Sequence, residues 1–153
     1  MGSNAYNPTT PPPSSAAPQD SSLKPQASLP PGLIDMHSHL LPGIDDGCQA
    51  IEESLDCVRR LMAVGFVGTI CTPHITRHFA DNNTVNVARW TQELQRRIDE
   101  AGLRYRVWTG GEIALHQGFI EWARANPVPT LAGSRCVLFD TWDDKWHKWL
   151  PAC

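Results

Sequence analysis

The hydrophobic and polar positions alternate between two periods. Leu33 to Met36 is a short apolar run and reads as a buried strand. Over 50–64, Ile51, Leu55, Val58 and Met62 recur at helical spacing on one face, and Gly65 supplies a stop signal. Val67 to Cys71 reads as a second strand. Over 84–101, Val87, Trp90, Leu94 and Ile98 form one stripe, with Asn83 or Thr84 as the N-cap and Gly102 beyond the last turn. Tyr105 to Trp108 reads as a third strand, Gln117 to Ala125 as a short helix, and Arg135 to Phe139 as a fourth strand. Strands alternating with helices predict an α/β fold of βαβ units, with a parallel sheet or barrel. A complete barrel of this type takes roughly 250 residues, so four strands are expected to be half of a larger one. Trp142, Trp146, Trp149 and Leu150 suggest the start of another amphipathic helix.

Composition narrows the picture. Residues 1–32 are rich in Pro, Ser, Ala and Gln and hold too few apolar side chains to offset ordering entropy, so they read as a disordered tail with the fold starting at Leu33. There is no internal repeat. The formal net charge is −3 and the pI about 6.0, which argues against a non-specific nucleic-acid binder or a polybasic membrane binder. The apolar runs are strand-sized, far below the roughly 20 residues of a membrane span, and the first 30 residues lack a basic start followed by an apolar block. The expected compartment is the cytoplasm. The five cysteines show no Cys-x-x-Cys spacing, which suggests neither a disulfide framework nor a thiolate zinc site. Cys71 and Cys136 lie in apolar runs and read as small core residues.

Metal-ligating residue types collect at the carboxyl ends of the expected strands, the end where α/β barrels build their sites. His37 and His39 follow the first strand, His74 the second, Glu112 the third and Asp140 the fourth. Residues i and i+2 of an extended chain share a face, so His37 and His39 can address one ion. Alone, a His-x-His pair is more often two surface histidines; the other strand-end residues shift the balance. Asp45-Asp46-Gly47 reads first as a turn, with one carboxylate free to swing back to a metal. A solitary His74 is more often a hydrogen-bonded packing residue, and Glu112 more often a helix-start carboxylate. Asp35 is placed to orient an imidazole or to pack in its strand. Imidazoles with carboxylates suit manganese, iron or zinc.

The run Ile34-Asp35-Met36-His37-Ser38-His39-Leu40-Leu41-Pro42-Gly43-Ile44-Asp45-Asp46-Gly47 resembles the opening of the PHP (polymerase and histidinol phosphatase) superfamily. The nearest branch is the bacterial manganese-dependent protein-tyrosine phosphatases of capsule and exopolysaccharide systems. Glu52-Glu53-Ser54, Thr72-Pro73-His74, Gly111-Glu112-Ile113 and the stretch from Pro129-Thr130-Leu131 to Phe139-Asp140 continue the likeness. It implies a distorted, TIM-like (βα)7 barrel, of which 33–153 is the N-terminal part. It also implies up to three divalent metals, manganese first with iron or zinc as alternatives. His37 and His39 match first-metal ligands, Glu112 a bridging carboxylate, His74 a second-metal ligand and Asp46 the carboxylate on the remaining metal. Asp140 stands where many members carry Glu. The nucleophile is then a metal-activated water rather than a side chain, and the substrate a phosphotyrosine protein such as a bacterial tyrosine kinase of polysaccharide export. The family's later His-x-x-Arg and Asp-x-His motifs, which supply further ligands, are expected beyond Cys153, where this chain stops.

Arg77 and His78, just after His74, are candidates for substrate phosphate, against the commoner role of exposed loop charges. Cys71 to Arg77 also has the Cys-x5-Arg spacing of cysteine-dependent phosphatases, although Pro73 offers no N–H to a phosphate. Histidinol-phosphate hydrolysis is a second enzymatic alternative; an inactive remnant or a binding module with a weak metal site is the non-enzymatic one. An unclosed sheet edge leads to the expectation that the isolated chain is poorly soluble or forms homo-oligomers and hydrolyses little.

Overall fold

The structure is a computed structural model and describes residues 30–141 together with residue 148. The Pro-rich tail up to residue 29 and the expected helix around Trp142, Trp146, Trp149 and Leu150 lie outside the described residues. The chain runs β1 (Leu33–Ser38), α1 (Ile51–Ala63), β2 (Phe66–Cys71), β3 (His74–Ile75), α2 (Thr84–Glu100), β4 (Arg106–Thr109), β5 (Glu112–Ala114), α3 (Phe119–Ala125) and β6 (Leu138–Asp140). Single 3-10 turns occur at Arg77–Phe79 and Leu131–Gly133. Among the described residues all strand pairs are parallel, in two three-stranded sheets ordered β1-β2-β4 and β3-β5-β6.

Two sheets appear where the sequence suggested one because two strand paths are interrupted. Thr72-Pro73 breaks the path of β2, since Pro73 cannot donate to a ladder. Gly110-Gly111 breaks the path of β4. A Cβ on Gly111 would lie 2.8 Å from both Ile75 Cγ1 and Pro129 Cγ, so only glycine admits this close passage. Beyond the breaks β3 and β5 pair again, His74 beside Glu112 and Ile75 beside Ile113. The Thr72 amide still donates to the Ser38 carbonyl (2.8 Å) and the Glu112 amide to the Pro73 carbonyl (3.0 Å), which keeps the paths together across the breaks.

The core lies between the first sheet and the two long helices. Val58 of α1, Val87, Leu94 and Ile98 of α2, Cys71 of β2 and Val107 of β4 are buried together with Leu40 and Leu41. Each such aliphatic side chain contributes about 1.5–3 kcal/mol by leaving water. Asn83 caps α2, its side chain accepting from the amides of Val85 and Asn86. Gln95 of α2 donates to the Tyr105 carbonyl (3.0 Å) and accepts from the Val107 amide (2.9 Å), so one side chain ties the helix to β4.

Three expectations are corrected. β1 is not buried: it is an edge strand among the described residues, and Leu33 and Met36 are more than half exposed. It also extends to Ser38, so His37 sits within it rather than after it. Cys136 is exposed, because it lies in the turn before β6, its amide held by the Ser134 hydroxyl and its carbonyl by the Leu131 amide. Glu112 is the first residue of β5, so the alternative reading of it as a helix-start carboxylate falls away.

Candidate metal centre

The site forms where β1 ends and β3 and β5 begin, just past the carboxyl ends of β2 and β4, and the 43–48 loop folds back on it. This loop is closed by the Gly43 amide donating to the Cys48 carbonyl (2.8 Å) and the Cys48 amide donating to the His39 carbonyl (3.1 Å). Gly47 is pressed against His39: a Cβ there would lie 2.2 Å from the His39 carbonyl oxygen and 2.3 Å from its Cβ. The Ser54 hydroxyl of α1 anchors the other side, donating to the Leu40 carbonyl at 2.7 Å.

Glu112 is the hub. Its side chain is only 8% exposed, and one oxygen lies 3.3 Å from His37 Nε2. The other lies 3.5 Å from His39 Nε2 and 2.9 Å from His74 Nδ1. His37 Nε2 and His39 Nε2 are 3.2 Å apart. On the far side of His74, Nε2 meets an Asp46 oxygen at 3.1 Å. Two overlapping donor groups result, His37-His39-Glu112 and His39-Asp46-His74.

Asp45 orients this set, a role the sequence did not reveal. Its buried carboxylate accepts from His39 Nδ1 (2.9 Å) and the His74 amide (3.1 Å) through one oxygen, and from the Gly47 amide (3.0 Å) through the other. With Nδ1–H committed to Asp45, neutral His39 presents its Nε2 lone pair toward His37 and Glu112. Burial opposes the charge on Asp45, but the hydrogen bonds from His39, Gly47 and His74 outweigh it and hold its pKa below the usual value. The His39 pKa is raised, chiefly by the bond to Asp45, against the opposing effect of burial and with help from the charges of Asp45, Glu112 and Asp46. A negative field that favours a proton on an imidazole also favours a cation beside it.

The donor set fits a divalent metal. Two neutral imidazole nitrogens facing each other at 3.2 Å can share one proton at most, and a carboxylate completes the cluster. Donors bound at about 2.0–2.2 Å and separated by angles near 90–110° lie roughly 2.8–3.6 Å apart. The separations of 3.2, 3.3 and 3.5 Å among His37, His39 and Glu112 match that spacing.

Other sequence candidates fall elsewhere. Asp140 ends β6 beside Ala114, and its carbonyl accepts from the Leu115 amide; it belongs to neither donor group among the described residues. Arg77 and His78 are exposed on the 3-10 turn and also stand outside both groups. Asp35 does not turn to a ring; its oxygens accept from the His37 amide (3.2 Å) and the Thr69 hydroxyl (3.2 Å), which fixes the His37 backbone instead. Two further residues shape the site unannounced by the sequence. The Phe79 ring stacks on His74 (centroids 5.8 Å, 11°), and the buried Asn82 amide donates to the carbonyls of Ile44 and His74. The Cys-x5-Arg reading is overturned: Cys71 is fully buried, and burial, then the charges of Asp35 and Cys48, push its thiol far above the thiol range.

Parallel strands with imidazoles and carboxylates gathered just past the carboxyl ends of β1, β2 and β4 define an α/β domain with a candidate divalent-metal centre. The chain belongs to the capsular polysaccharide synthesis CpsB/CapC family, whose model matches residues 33–147. The CapC protein of Staphylococcus aureus, described as a putative tyrosine-protein phosphatase, is 23% identical over 108 residues, covering 71% of this chain and 42% of its own length. The tyrosine-protein phosphatase YwqE of Bacillus subtilis is 29% identical over 84 residues, covering 55% of this chain and 33% of its own. Crystal structures of YwqE and of CpsB from Streptococcus pneumoniae, described as unique metal-dependent tyrosine phosphatases, provide a match with a TM-score of 0.71 at 23% identity, covering 78% of this chain and 49% of that one. That likeness establishes the fold. The chain spans less than half the length of these relatives.

Proposed function

We propose that this chain is part of a metal-dependent phosphoester hydrolase that removes phosphate from protein tyrosine in the control of capsule or exopolysaccharide production. The observation that carries the proposal is the Glu112 carboxylate within 3.5 Å of three imidazoles at the ends of parallel strands. Family membership supplies the capsule context. His37, His39, Asp46, His74 and Glu112 hold the metals, and Asp140, which ends β6, is a further donor in the complete domain. Manganese is the proposed ion, up to three per complete domain, with iron or zinc as substitutes. Residues 33–153 then form the first part of a TIM-like barrel, in the cytoplasm. The substrate is a tyrosine-phosphorylated protein such as a kinase of polysaccharide export.

When bound, divalent ions supply Lewis acidity, which activates a water near neutral pH and neutralises phosphoryl oxygens. The chain's own residues do the positioning. Asp45 fixes the tautomer and orientation of His39, Asp35 fixes the His37 backbone, and Glu112 couples the three imidazoles. His74 is held from behind by Asn82 and covered by Phe79, which keeps water from one side of it.

The test is hydrolysis of p-nitrophenyl phosphate and of a phosphotyrosine peptide by the purified chain with and without Mn²⁺. Turnover, expected to be low for this chain by itself, should rise with Mn²⁺, vanish in EDTA and survive iodoacetamide. EDTA-resistant turnover that iodoacetamide abolishes would overturn the metal mechanism.

A further inference from the structure

A groove of about 650 Å³ opens on the reverse side of the β3-β5 ladder. Its position follows from strand geometry. His74 and Glu112 pair across the ladder and turn to the metal centre, while their successors Ile75 and Ile113, also paired, line the groove. The Arg77–Phe79 turn is the ridge between the two faces: Phe79 stacks on His74, and Arg77 and His78 line the groove. Trp122 of α3 forms an apolar wall, and His116 a further polar one.

The lining is one-sided in charge. The chain carries 16 acidic residues and a net charge of −3, yet no Asp or Glu lines the groove among the described residues. Asp81 and Glu121, though close in sequence, are not part of its wall. The ionisable lining groups are Arg77, His78 and His116. Aromatic and aliphatic walls beside a guanidinium suit a peptide with both apolar and acidic side chains.

We propose that this groove binds the acidic flank of a phosphotyrosine peptide, with an apolar side chain against Ile75, Ile113 and Trp122 and carboxylates met by Arg77, His78 and His116. This rests on the phosphotyrosine-hydrolase reading above and names the substrate class for the same site. His74 of the metal centre and Arg77 of the groove are three residues apart, so at about 3.3–3.6 Å per residue their backbones are separated by at most roughly 10–11 Å. An extended peptide has the same reach, which puts the acidic residues about three positions from the phosphotyrosine.

The test is fluorescence anisotropy with the full 153-residue chain, kept metal-free so that nothing is hydrolysed. Two labelled phosphotyrosine peptides differ only in carrying Asp or Lys three and four positions from the phosphotyrosine. The Asp peptide should bind about three- to tenfold more tightly in low salt, with the preference shrinking in high salt. Arg77→Gln should remove the preference and Arg77→Glu should reverse it, with circular dichroism verifying that both variants fold. Equal affinities, no measurable binding of either peptide, a preference that survives Arg77→Glu, or tighter binding of a single-stranded oligonucleotide would each overturn the proposal. A parallel assay of the wild-type chain on p-nitrophenyl phosphate with Mn²⁺ separates the two claims. Mn²⁺-dependent turnover without peptide discrimination defeats the groove alone, and peptide discrimination together with EDTA-resistant turnover defeats the metal-hydrolase reading while the peptide site stands.

Discussion

Asp45→Asn removes a charge without removing volume, and its effect can be worked from the structure. The wild-type carboxylate is fully buried and accepts three hydrogen bonds, two at one oxygen from His39 Nδ1 and the His74 amide and one at the other from the Gly47 amide. An asparagine keeps one acceptor oxygen. If that oxygen serves His39 and His74, the new NH₂ faces the Gly47 N–H and a buried donor loses its partner. The reverse orientation leaves two donors unsatisfied. One lost buried bond costs about 1–3 kcal/mol, which for a domain of this size lowers Tm by roughly 5–15 °C. The remaining bond to His39 is to a neutral oxygen, so the imidazole is oriented and polarised less. A missing partner of this kind typically weakens metal binding about 10- to 100-fold. Thermal melts of the metal-free chain measure the first effect, and calorimetric Mn²⁺ titration the second. Unchanged Tm together with Mn²⁺ affinity within about twofold of wild type would refute the account of Asp45 as the residue that orients the centre.

Two further predictions concern the scaffold. Gly47→Ala drives a methyl group into the His39 backbone, so it should cost about 1–3 kcal/mol and weaken Mn²⁺ binding, read by melting and titration; a neutral outcome would show that the 43–48 loop is not pressed on His39. Burial pushes the Tyr105 phenol up to about 12, although its bond to Thr69 Oγ1 (2.7 Å) opposes the rise. Because the folded pKa lies above the ordinary value of about 10, this group's contribution to stability is complete below pH 10 and is lost as pH rises toward 12. Absorbance titration at 295 nm, compared with Tyr105→Phe, should show that late ionisation.

The sequence made the long periodic elements legible and left the short ones hidden. α1, α2 and β2 follow from apolar residues at regular spacing, and their observed ends differ from the expected ones by a residue or so. β3 and β5 have two and three residues, too short for any period, and owe their existence to Pro73 and Gly110-Gly111 interrupting longer paths. β1 reads as buried because Leu33, Ile34 and Met36 are apolar, yet apolarity does not reveal how many neighbours a strand has. Of the expected ligand set, His37, His39, Asp46, His74 and Glu112 converge, because strand order places their elements side by side. Asp140 satisfies the same strand-end pattern, yet stands outside both donor groups. Asp45 was invisible for a different reason: in Asp45-Asp46-Gly47 either acid could face inward, and the choice depends on how the loop closes over His39 and His74. Arg77 and His78 follow His74 in sequence, but the 3-10 turn carries them toward the reverse face.

The claim at the centre of this account is that Glu112 joins three imidazoles into a divalent-metal site. It is tested most directly by electron paramagnetic resonance titration of Mn²⁺ into the metal-free chain and into Glu112→Gln. The free-ion signal should be quenched stoichiometrically by the wild-type chain, and the variant, with the shared charge removed, should bind at least about tenfold more weakly. Equal quenching by both proteins, or none by the wild type, would contradict it.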